Sequence, residues 1–233
     1  MTVTLDALRG YFPSGGFGRR VQPLPEYGCV YVKNAKAASS TIMLWLHRVH
    51  TADSAFVPER NIHAEHTLPT VKDVGRDTVV RMLAGEAFRF SFVRDPLARV
   101  ESAYRDKVAK LERRDRWRVL VQQTLGEPVD PDRVPTFDEF VAALELQDPI
   151  RMDSHWRPQH LNLMHGLVEY DLVGRLETFD ADLARVGAAI GVRGVPLEVR
   201  NVRPPTDSLF DGRHALRRKV RDIYAMDFEL YGY

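Results

Sequence analysis

The sequence predicts an α/β fold in a single domain, with a central parallel sheet and helices on both of its faces. An apolar run at 28–33 is short enough for a buried strand, and a turn of small residues and an apolar helix at 41–49 follow it. Phenylalanines at alternate positions of 87–93 indicate a second strand, and 170–174 is predicted to be a third. Strands that alternate with helices form parallel sheets that are buried on both faces.

The elements of the N-terminal half follow from local signals. Residues 1–27 contain several glycines and prolines, so we expect an irregular N-terminal arm ahead of one domain at 28–233. A short helix is predicted at 77–83. A proline suits the first turn of a helix, and Pro96 is predicted to open a long helix that reaches about residue 118.

The C-terminal half shows the same kinds of signal. A capping-box pattern at 136–139 opens a helix to about residue 146. A helix is predicted at 180–190, and two prolines place a loop at 203–205. A basic amphipathic helix is expected at 211–226.

Charge and composition exclude several classes of protein. The chain has 33 basic and 32 acidic residues, a balance that argues against a nucleic-acid or membrane-surface binder. Cys29 is the only cysteine, so no intrachain disulfide forms and a reducing compartment is the simpler expectation. We find no secretory signal and no apolar stretch of about 18 residues. We therefore expect a soluble, cytoplasmic protein with no membrane partner.

The turn at Lys33–Thr41 has the properties of an anion-binding loop. Small residues after a strand let backbone N–H groups approach an anion, and the following helix directs its positive end to the same place. Lys36 adds a cation, and hydroxyl groups follow it at 39–41. The pattern is not a Walker loop, because it has no glycine and its lysine comes early in the turn. N-capping of an ordinary helix is the alternative interpretation.

A second anion-binding element is predicted where the second strand ends. Arg94 stands at its carboxyl end, and Ser102 follows about two helical turns later. Arg94 and Ser102 can therefore contact one phosphate, the arginine through a forked charge-assisted contact. Ligands of open α/β sheets bind outside the carboxyl ends of strands, so we expect both elements to bind one nucleotide.

These two segments resemble a known family. FVRDPLARVESAYRDK at 92–107 is similar to the 3′-phosphate-binding segment of sulfotransferases that use 3′-phosphoadenosine 5′-phosphosulfate (PAPS). The resemblance is to the carbohydrate type, such as membrane-bound chondroitin 4-O-sulfotransferases and uronyl 2-O-sulfotransferases. AKAASST at 35–41 is similar to their 5′-phosphosulfate loop, although Ala35 replaces the usual proline and Ala38 the glycine of many members. Further similar segments lie at 154–159, 170–177 and 224–233, so the resemblance spans 28–233.

The resemblance implies a P-loop-NTPase-like fold and in-line transfer of a sulfuryl group from PAPS to a hydroxyl, without a metal. It implies that Lys36 stabilises the leaving group and that Arg94 and Ser102 hold the 3′-phosphate. The 5′-phosphosulfate would contact a contiguous set of loop residues: Lys36, Ala37, Ala38, Ser39, Ser40 and Thr41. The acceptor would be a hydroxyl-bearing small metabolite or a glycan.

A hydroxyl acceptor requires a general base, and histidine is the usual choice near neutral pH. His63 and His66 lie between the two phosphate elements, where uronyl-type members place their catalytic histidine. We favour His66 over His63, with Glu65 as the fallback. Two histidines on a solvated loop are the plain alternative, and a zinc site is disfavoured because no cysteine or second ligand pair lies nearby.

Two other functions remain open at this point. The chain could be a non-catalytic module that binds PAPS or another nucleotide. An ATP-dependent phosphoryl transferase is the other candidate, but it would need Mg²⁺ ligands and a Walker loop. The sequence specifies neither the acceptor nor the oligomeric state.

Overall fold

A computed structural model describes residues 2–13, 16–111, 115–195 and 207–233. The described residues of 1–93 and 161–203 form one compact unit, and those of 94–160 and 204–233 form a second. The sequence did not indicate this division. One of its three boundaries directly follows a strand, another falls inside a short helix, and the third, at 203–204, lies outside the described residues. The predicted loop at 203–205 lies outside the described residues. No helix in these ranges has the length and apolar character needed to cross a bilayer.

A four-stranded sheet forms the centre of the first unit. The strands are β1 (Val21–Leu24), β2 (Cys29–Val32), β3 (Phe88–Val93) and β4 (Leu172–Arg175). Their order is β1-β2-β3-β4; β2, β3 and β4 run parallel, whereas β1 pairs antiparallel with β2. The α/β class is confirmed, but the sheet is mixed rather than wholly parallel.

The prediction of an irregular arm at 1–27 was wrong. This segment contains two short helices, a 3₁₀ turn at Pro25–Tyr27 and the edge strand β1. Val21 and Leu24 are buried there, so the segment contributes apolar surface to the core. Pro23 is compatible with β1 because an edge strand tolerates a residue without a backbone donor.

The helices of the described residues are, in chain order, α1 (Leu5–Gly10), α2 (Phe17–Arg20), α3 (Ser39–Thr51), α4 (Ile62–Glu65), α5 (Val71–Val74), α6 (Arg76–Arg81), α7 (Pro96–Ala103), α8 (Arg116–Thr124), α9 (Phe137–Leu146), α10 (Gln159–Asn162), α11 (Phe179–Ala189), α12 (His214–Ile223) and α13 (Ala225–Tyr231). π-Helical turns continue α6 at Met82–Glu86 and α7 at Tyr104–Val108, and a 3₁₀ turn at Leu176–Thr178 precedes α11.

Helices cover both faces of the sheet, as predicted. Successive side chains of a strand point to opposite faces, and β2 shows this clearly. Tyr31 packs in a core cluster with residues of α3 and α11, whereas Val30 and Val32 pack in another cluster with residues of α1, α5 and α6. Burial on both faces accounts for the continuous apolar run that predicted this strand.

The second unit is helical, and its core joins α7, α8, α9, α12 and α13. Trp156, Phe140 and Tyr224 are among its fully buried side chains. The predicted capping box of α9 is confirmed, since the side chains of Thr136 and Glu139 each accept a hydrogen bond from the other residue's backbone N–H.

Two helix predictions in this unit were too long. The helix predicted at 96–118 ends after the π turn at Val108, and α8 begins at Arg116. Leu111 is the one large apolar residue between them, and it is exposed, so no apolar face continues there. The helix predicted at 211–226 is interrupted at Tyr224, whose backbone leaves helical geometry while its buried hydroxyl donates to the Trp156 carbonyl.

Candidate active site

The predicted anion-binding segment, named here the phosphate loop (Lys33–Thr41), joins the carboxyl end of β2 to the first turn of α3. Lys36 and Ala38 have positive φ angles of 69° and 59°. Left-handed residues within a turn direct successive backbone N–H groups to one side, which creates an anion-binding concavity. Ala38 is also the N-cap of α3 and supplies no side-chain cap, so the positive end of the helix is available to an anion.

The left-handed residues carry conformational strain. A residue with a Cβ loses roughly 1–2 kcal/mol in this conformation, which glycine adopts readily. Ala38 has a φ of 59°, a conformation that glycine would adopt without this strain. Strain of this kind persists where the surrounding structure imposes it.

Asn34 fixes the start of the phosphate loop. Its buried side chain donates from Nδ2 to the carbonyl of Phe92, the penultimate residue of β3, at 3.0 Å. Its Oδ1 accepts from Asn162 Nδ2 at 3.3 Å. The loop is thereby attached to the carboxyl end of the neighbouring parallel strand. Sequence reasoning assigned Asn34 no role, although a polar residue directly after a buried strand was a usable signal.

The structure brings His63 to the phosphate loop. His63 Nε2 lies 3.1 Å from Ser40 Oγ, in the first turn of α3. The histidine belongs to a segment, named here the histidine segment (Asn61–Thr67), that begins with α4. Asn61 caps α4 by accepting from the His63 backbone N–H at 3.1 Å. A candidate base and a candidate phosphate ligand, separated by 23 residues, are thus hydrogen-bonded.

His66 lies in the same unit and has an unusual electrostatic environment. Its side chain is half-buried, and its Nδ1 atom is buried without a hydrogen-bond partner among the described residues. Burial, assisted by the nearby charges of Lys33 and His47, lowers the pKa of His66 to about 4. Burial also lowers the pKa of Lys33 to about 8. His66 is therefore neutral at pH 7.

Glu65, the fallback base, has a different role in this structure. Its carboxylate accepts from the backbone N–H groups of Glu59, Arg60 and Asn61 at 2.7, 2.8 and 2.7 Å. The bond from Asn61 is the leading cause of a lowered pKa for Glu65. Because these bonds stabilise the ionised carboxylate and occupy its oxygens, Glu65 is a poor general base. It closes the turn that leads into the histidine segment.

In the second unit, the backbone of Arg94 is held at two points. Its N–H donates to Oε1 of Gln159 at 3.0 Å, and its carbonyl accepts from Nε2 of the same side chain at 2.8 Å. Gln159 is fully buried. Its own backbone N–H donates to Asp227 Oδ2 at 2.7 Å. Sequence reasoning noted the segment that contains Gln159 but assigned this residue no function.

Helix α7 carries the second predicted phosphate ligand. Asp95 caps the helix by accepting from the Ala98 N–H at 2.8 Å. Ser102 is partly exposed near the end of α7, six residues after Pro96 and about 9 Å along the helix axis. Among the described residues, Arg94 and Ser102 do not form a hydrogen bond with each other. That both bind one phosphate stays a prediction.

Arg99 attaches α7 to the segment at 154–159. Its buried guanidinium donates to the carbonyls of Arg157 and Ser154 at 2.8 and 3.0 Å. His155, in the same segment, lies with its Nδ1 2.5 Å from Asp153 Oδ1, and Trp117 Nε1 donates to the other oxygen of Asp153. These contacts make His155 part of an internal network of the second unit. Among the described residues, no group of three or more potential acidic, histidine or cysteine ligands could hold a metal ion.

The class of protein is indicated by the order of elements, by the phosphate loop and by residues 94–102, named here the Arg94 segment. The sequence model of the Sulfotransferase family matches residues 24–233. The chain therefore belongs to the sulfotransferase family, and the resemblance found in the sequence is confirmed. No solved structure matches it.

The relatives that it resembles are carbohydrate sulfotransferases. Carbohydrate sulfotransferase 14 of Homo sapiens is 32% identical over 171 residues, which cover 68% of this chain and 45% of the relative. Carbohydrate sulfotransferase 14 of Danio rerio is 32% identical over 161 residues, covering 63% and 44%. Carbohydrate sulfotransferase 12 of Xenopus laevis is 25% identical over 239 residues, covering 90% and 56%. The chain thus spans about half the length of these relatives.

Proposed function

We propose that this protein transfers a sulfuryl group from PAPS to a hydroxyl of a carbohydrate. The observation that carries the proposal is the phosphate loop, with two left-handed residues directly before the uncapped start of α3. Such a loop suits a phosphosulfate, because it offers several N–H donors and a lysine to one anion. Membership of the sulfotransferase family supports the donor. The names of the relatives support a carbohydrate acceptor over a small metabolite.

In this proposal, the phosphate loop binds the 5′-phosphosulfate. The N–H groups of the first turn of α3 and the hydroxyls of Ser39 and Ser40 donate to its oxygens. Thr41 is buried, so we assign it mainly to the packing of that turn. Lys36 would stand beside the oxygen that bridges phosphorus and sulfur when the donor is bound. Its charge stabilises the negative charge that develops there when the bond to sulfur breaks.

His66 serves as the general base. The acceptor oxygen forms a bond to sulfur while the bond between sulfur and the 5′-phosphate oxygen breaks. The electron pair of the broken bond stays on that phosphate oxygen, so adenosine 3′,5′-bisphosphate is the leaving group. The proton of the acceptor hydroxyl passes to the unprotonated ring nitrogen of His66. The low pKa of His66 keeps the ring neutral before the reaction, and the bound anion favours the protonated ring afterwards. His63 positions the Ser40 hydroxyl through their hydrogen bond.

In the second unit, Arg94 and Ser102 bind the 3′-phosphate. The guanidinium supplies a forked, charge-assisted contact, and the serine supplies a hydroxyl donor. The cytoplasmic location expected from the single cysteine remains part of the proposal.

Calorimetry and a transfer assay test the proposal together. Adenosine 3′,5′-bisphosphate should bind without added metal and more tightly than ATP with Mg²⁺. A panel of oligosaccharides and small hydroxylated metabolites, incubated with labelled PAPS, should yield a sulfated carbohydrate detected by mass spectrometry. Tight bisphosphate binding without transfer to any acceptor would favour the non-catalytic nucleotide-binding module. Preference for ATP with Mg²⁺ would contradict the donor assignment.

A further inference from the structure

Arg94 lies between a strand and a helix, where the backbone continues neither hydrogen-bond pattern. It follows the last residue of β3 and precedes Asp95, the N-cap of α7. A backbone N–H and carbonyl between a strand and a helix lie outside both hydrogen-bond patterns and need other partners. Gln159 satisfies both groups of Arg94 with one side chain, at 3.0 and 2.8 Å.

Gln159 is itself held by the carboxylate of Asp227. This carboxylate is fully buried and accepts from the N–H of Gln159 at 2.7 Å on Oδ2 and from the N–H of His160 at 2.9 Å on Oδ1. The ring Nδ1 of His160 lies 2.7 Å from the same Oδ1 atom. A buried carboxylate is stable only when several donors surround it, so these contacts lock the backbone that carries Gln159.

We propose that Gln159 and Asp227 are positioning residues for recognition of the 3′-phosphate by Arg94. The inference rests on the proposed function, because it assigns the same ligand to Arg94. A long side chain binds a phosphate well only when its own backbone is fixed, since less conformational freedom is then lost on binding. Asp227 fixes Gln159, and Gln159 fixes both backbone groups of Arg94. Asp227 stands 133 residues after Arg94 in the chain, so no local pattern reveals the connection.

The test compares two nucleotides that differ in one phosphate. Adenosine 3′,5′-bisphosphate and adenosine 5′-monophosphate are titrated calorimetrically into the full chain, and the ratio of their affinities measures recognition of the 3′-phosphate. Arg94→Ala should reduce this ratio most strongly. Gln159→Ala should lower bisphosphate affinity about tenfold and leave monophosphate affinity within about twofold, the loss expected for one weakened charge-assisted contact. Asp227→Asn should lower the ratio in the same direction, because one backbone donor loses its acceptor.

The chain contains a matched control for Gln159. Gln122, also fully buried in the second unit, holds Asp130 in the same way: Nε2 donates to its carbonyl at 2.8 Å and Oε1 accepts from its N–H at 2.6 Å. Gln122→Ala should lower the melting temperature and leave the ratio of the two nucleotide affinities unchanged. If the affinity ratio falls in Gln159→Ala but not in Gln122→Ala, the effect comes from the positioning of Arg94 and not from a general loss of stability.

A second variant covers the case in which Gln159→Ala does not fold. Gln159→Glu keeps the shape of the side chain and the oxygen that accepts from the Arg94 N–H, but it removes the donor to the Arg94 carbonyl. This variant should also lower the ratio of bisphosphate to monophosphate affinity. A folded Gln159 variant with the wild-type ratio overturns the inference, and so does an equal loss for both nucleotides. If the wild type itself fails to prefer the bisphosphate, the proposed function fails, and the inference fails with it.

Discussion

The phosphate loop and the Arg94 segment are both predicted to bind phosphate, but they are constructed differently. The loop depends on its own backbone, with Lys36 and Ala38 in the left-handed region and α3 beginning immediately afterwards. Arg94 depends on a buried side chain 65 residues away that holds its backbone from both sides. The phosphate loop depends mainly on the conformation of its own residues. The backbone of Arg94 can be disturbed by substitutions far away in the chain, and the Gln159 and Asp227 variants described above test this. Four substitutions in and near the phosphate loop test the first case, from the largest expected effect to the smallest.

The largest effect is expected from Lys36→Ala in the phosphate loop. Loss of a charge aimed at the leaving oxygen should lower kcat about 10³-fold, the scale seen when a donor to a developing anion is removed. Nucleotide affinity should fall much less, because the backbone N–H groups remain. Lys72→Ala, at an exposed position of the same unit, is the control in both measurements. A normal kcat for Lys36→Ala would remove the lysine from the mechanism.

His66→Gln should lower kcat about 100-fold, because a positioned general base contributes at least that much. In the wild type, kcat/KM should stay level near neutrality and fall only as the pH drops through about 4, where the free His66 becomes protonated. The bound nucleotide raises this pKa, so kcat should fall at a higher pH than kcat/KM. The pH dependence of kcat and kcat/KM, measured for the wild type, His66→Gln and His63→Gln, tests which histidine is the general base. A normal profile for His66→Gln, with loss in His63→Gln, would transfer the role to His63.

The same histidine should also affect stability. The pKa of His66 is about 4 in the folded protein and 6.5 in the reference state, so the unfolded chain binds more protons between these values. Stability should therefore fall as the pH drops from 6.5 to about 4, and His66→Gln should remove part of that loss. Because the side chain is only half-buried and solvent screens its charge, we expect this part to be about 1–2 kcal/mol. Urea unfolding at pH 6.5 and at about pH 4 measures this loss of stability. His165→Gln, which replaces an exposed histidine of the same unit, is the control.

Asn34→Ala tests the attachment of the phosphate loop to β3. The buried Phe92 carbonyl loses its donor, which should cost about 1–3 kcal/mol in the free energy of unfolding. Affinity for adenosine 5′-monophosphate should fall as well, because the loop loses its anchor. Gln122→Ala, which removes a comparable buried amide from the second unit, should lower stability without this change in affinity. Unchanged affinity in Asn34→Ala would mean that the loop holds its shape unaided.

The smallest effect is expected from Ala38→Gly. Glycine adopts a φ of 59° without strain, so the variant should gain up to about 1 kcal/mol in the free energy of unfolding. Ala37→Gly, beside it, provides a comparison at a residue outside the left-handed region. Thermal unfolding of both variants gives the difference. Destabilisation by Ala38→Gly equal to that of Ala37→Gly would contradict the argument from strain.

The sequence by itself determined the α/β class and the family. It also determined the phosphate loop together with the strand before it and the helix after it. These features depend on neighbouring residues: β2 on its apolar run, α3 on the small residues before it, and α9 on a capping box within four positions. Local patterns of this kind are visible in a sequence because each residue acts on backbone groups close to it.

Only the tertiary structure decided how the candidate site is supported. It placed β1 in the sheet, joined the Glu65 carboxylate to three backbone N–H groups, and connected Arg94 to Gln159 and Asp227. The last two are contacts of side chains with backbone groups that lie outside the regular hydrogen-bond patterns. Their partners can stand anywhere in the chain, because burial requires that such groups be satisfied but does not specify by which residue.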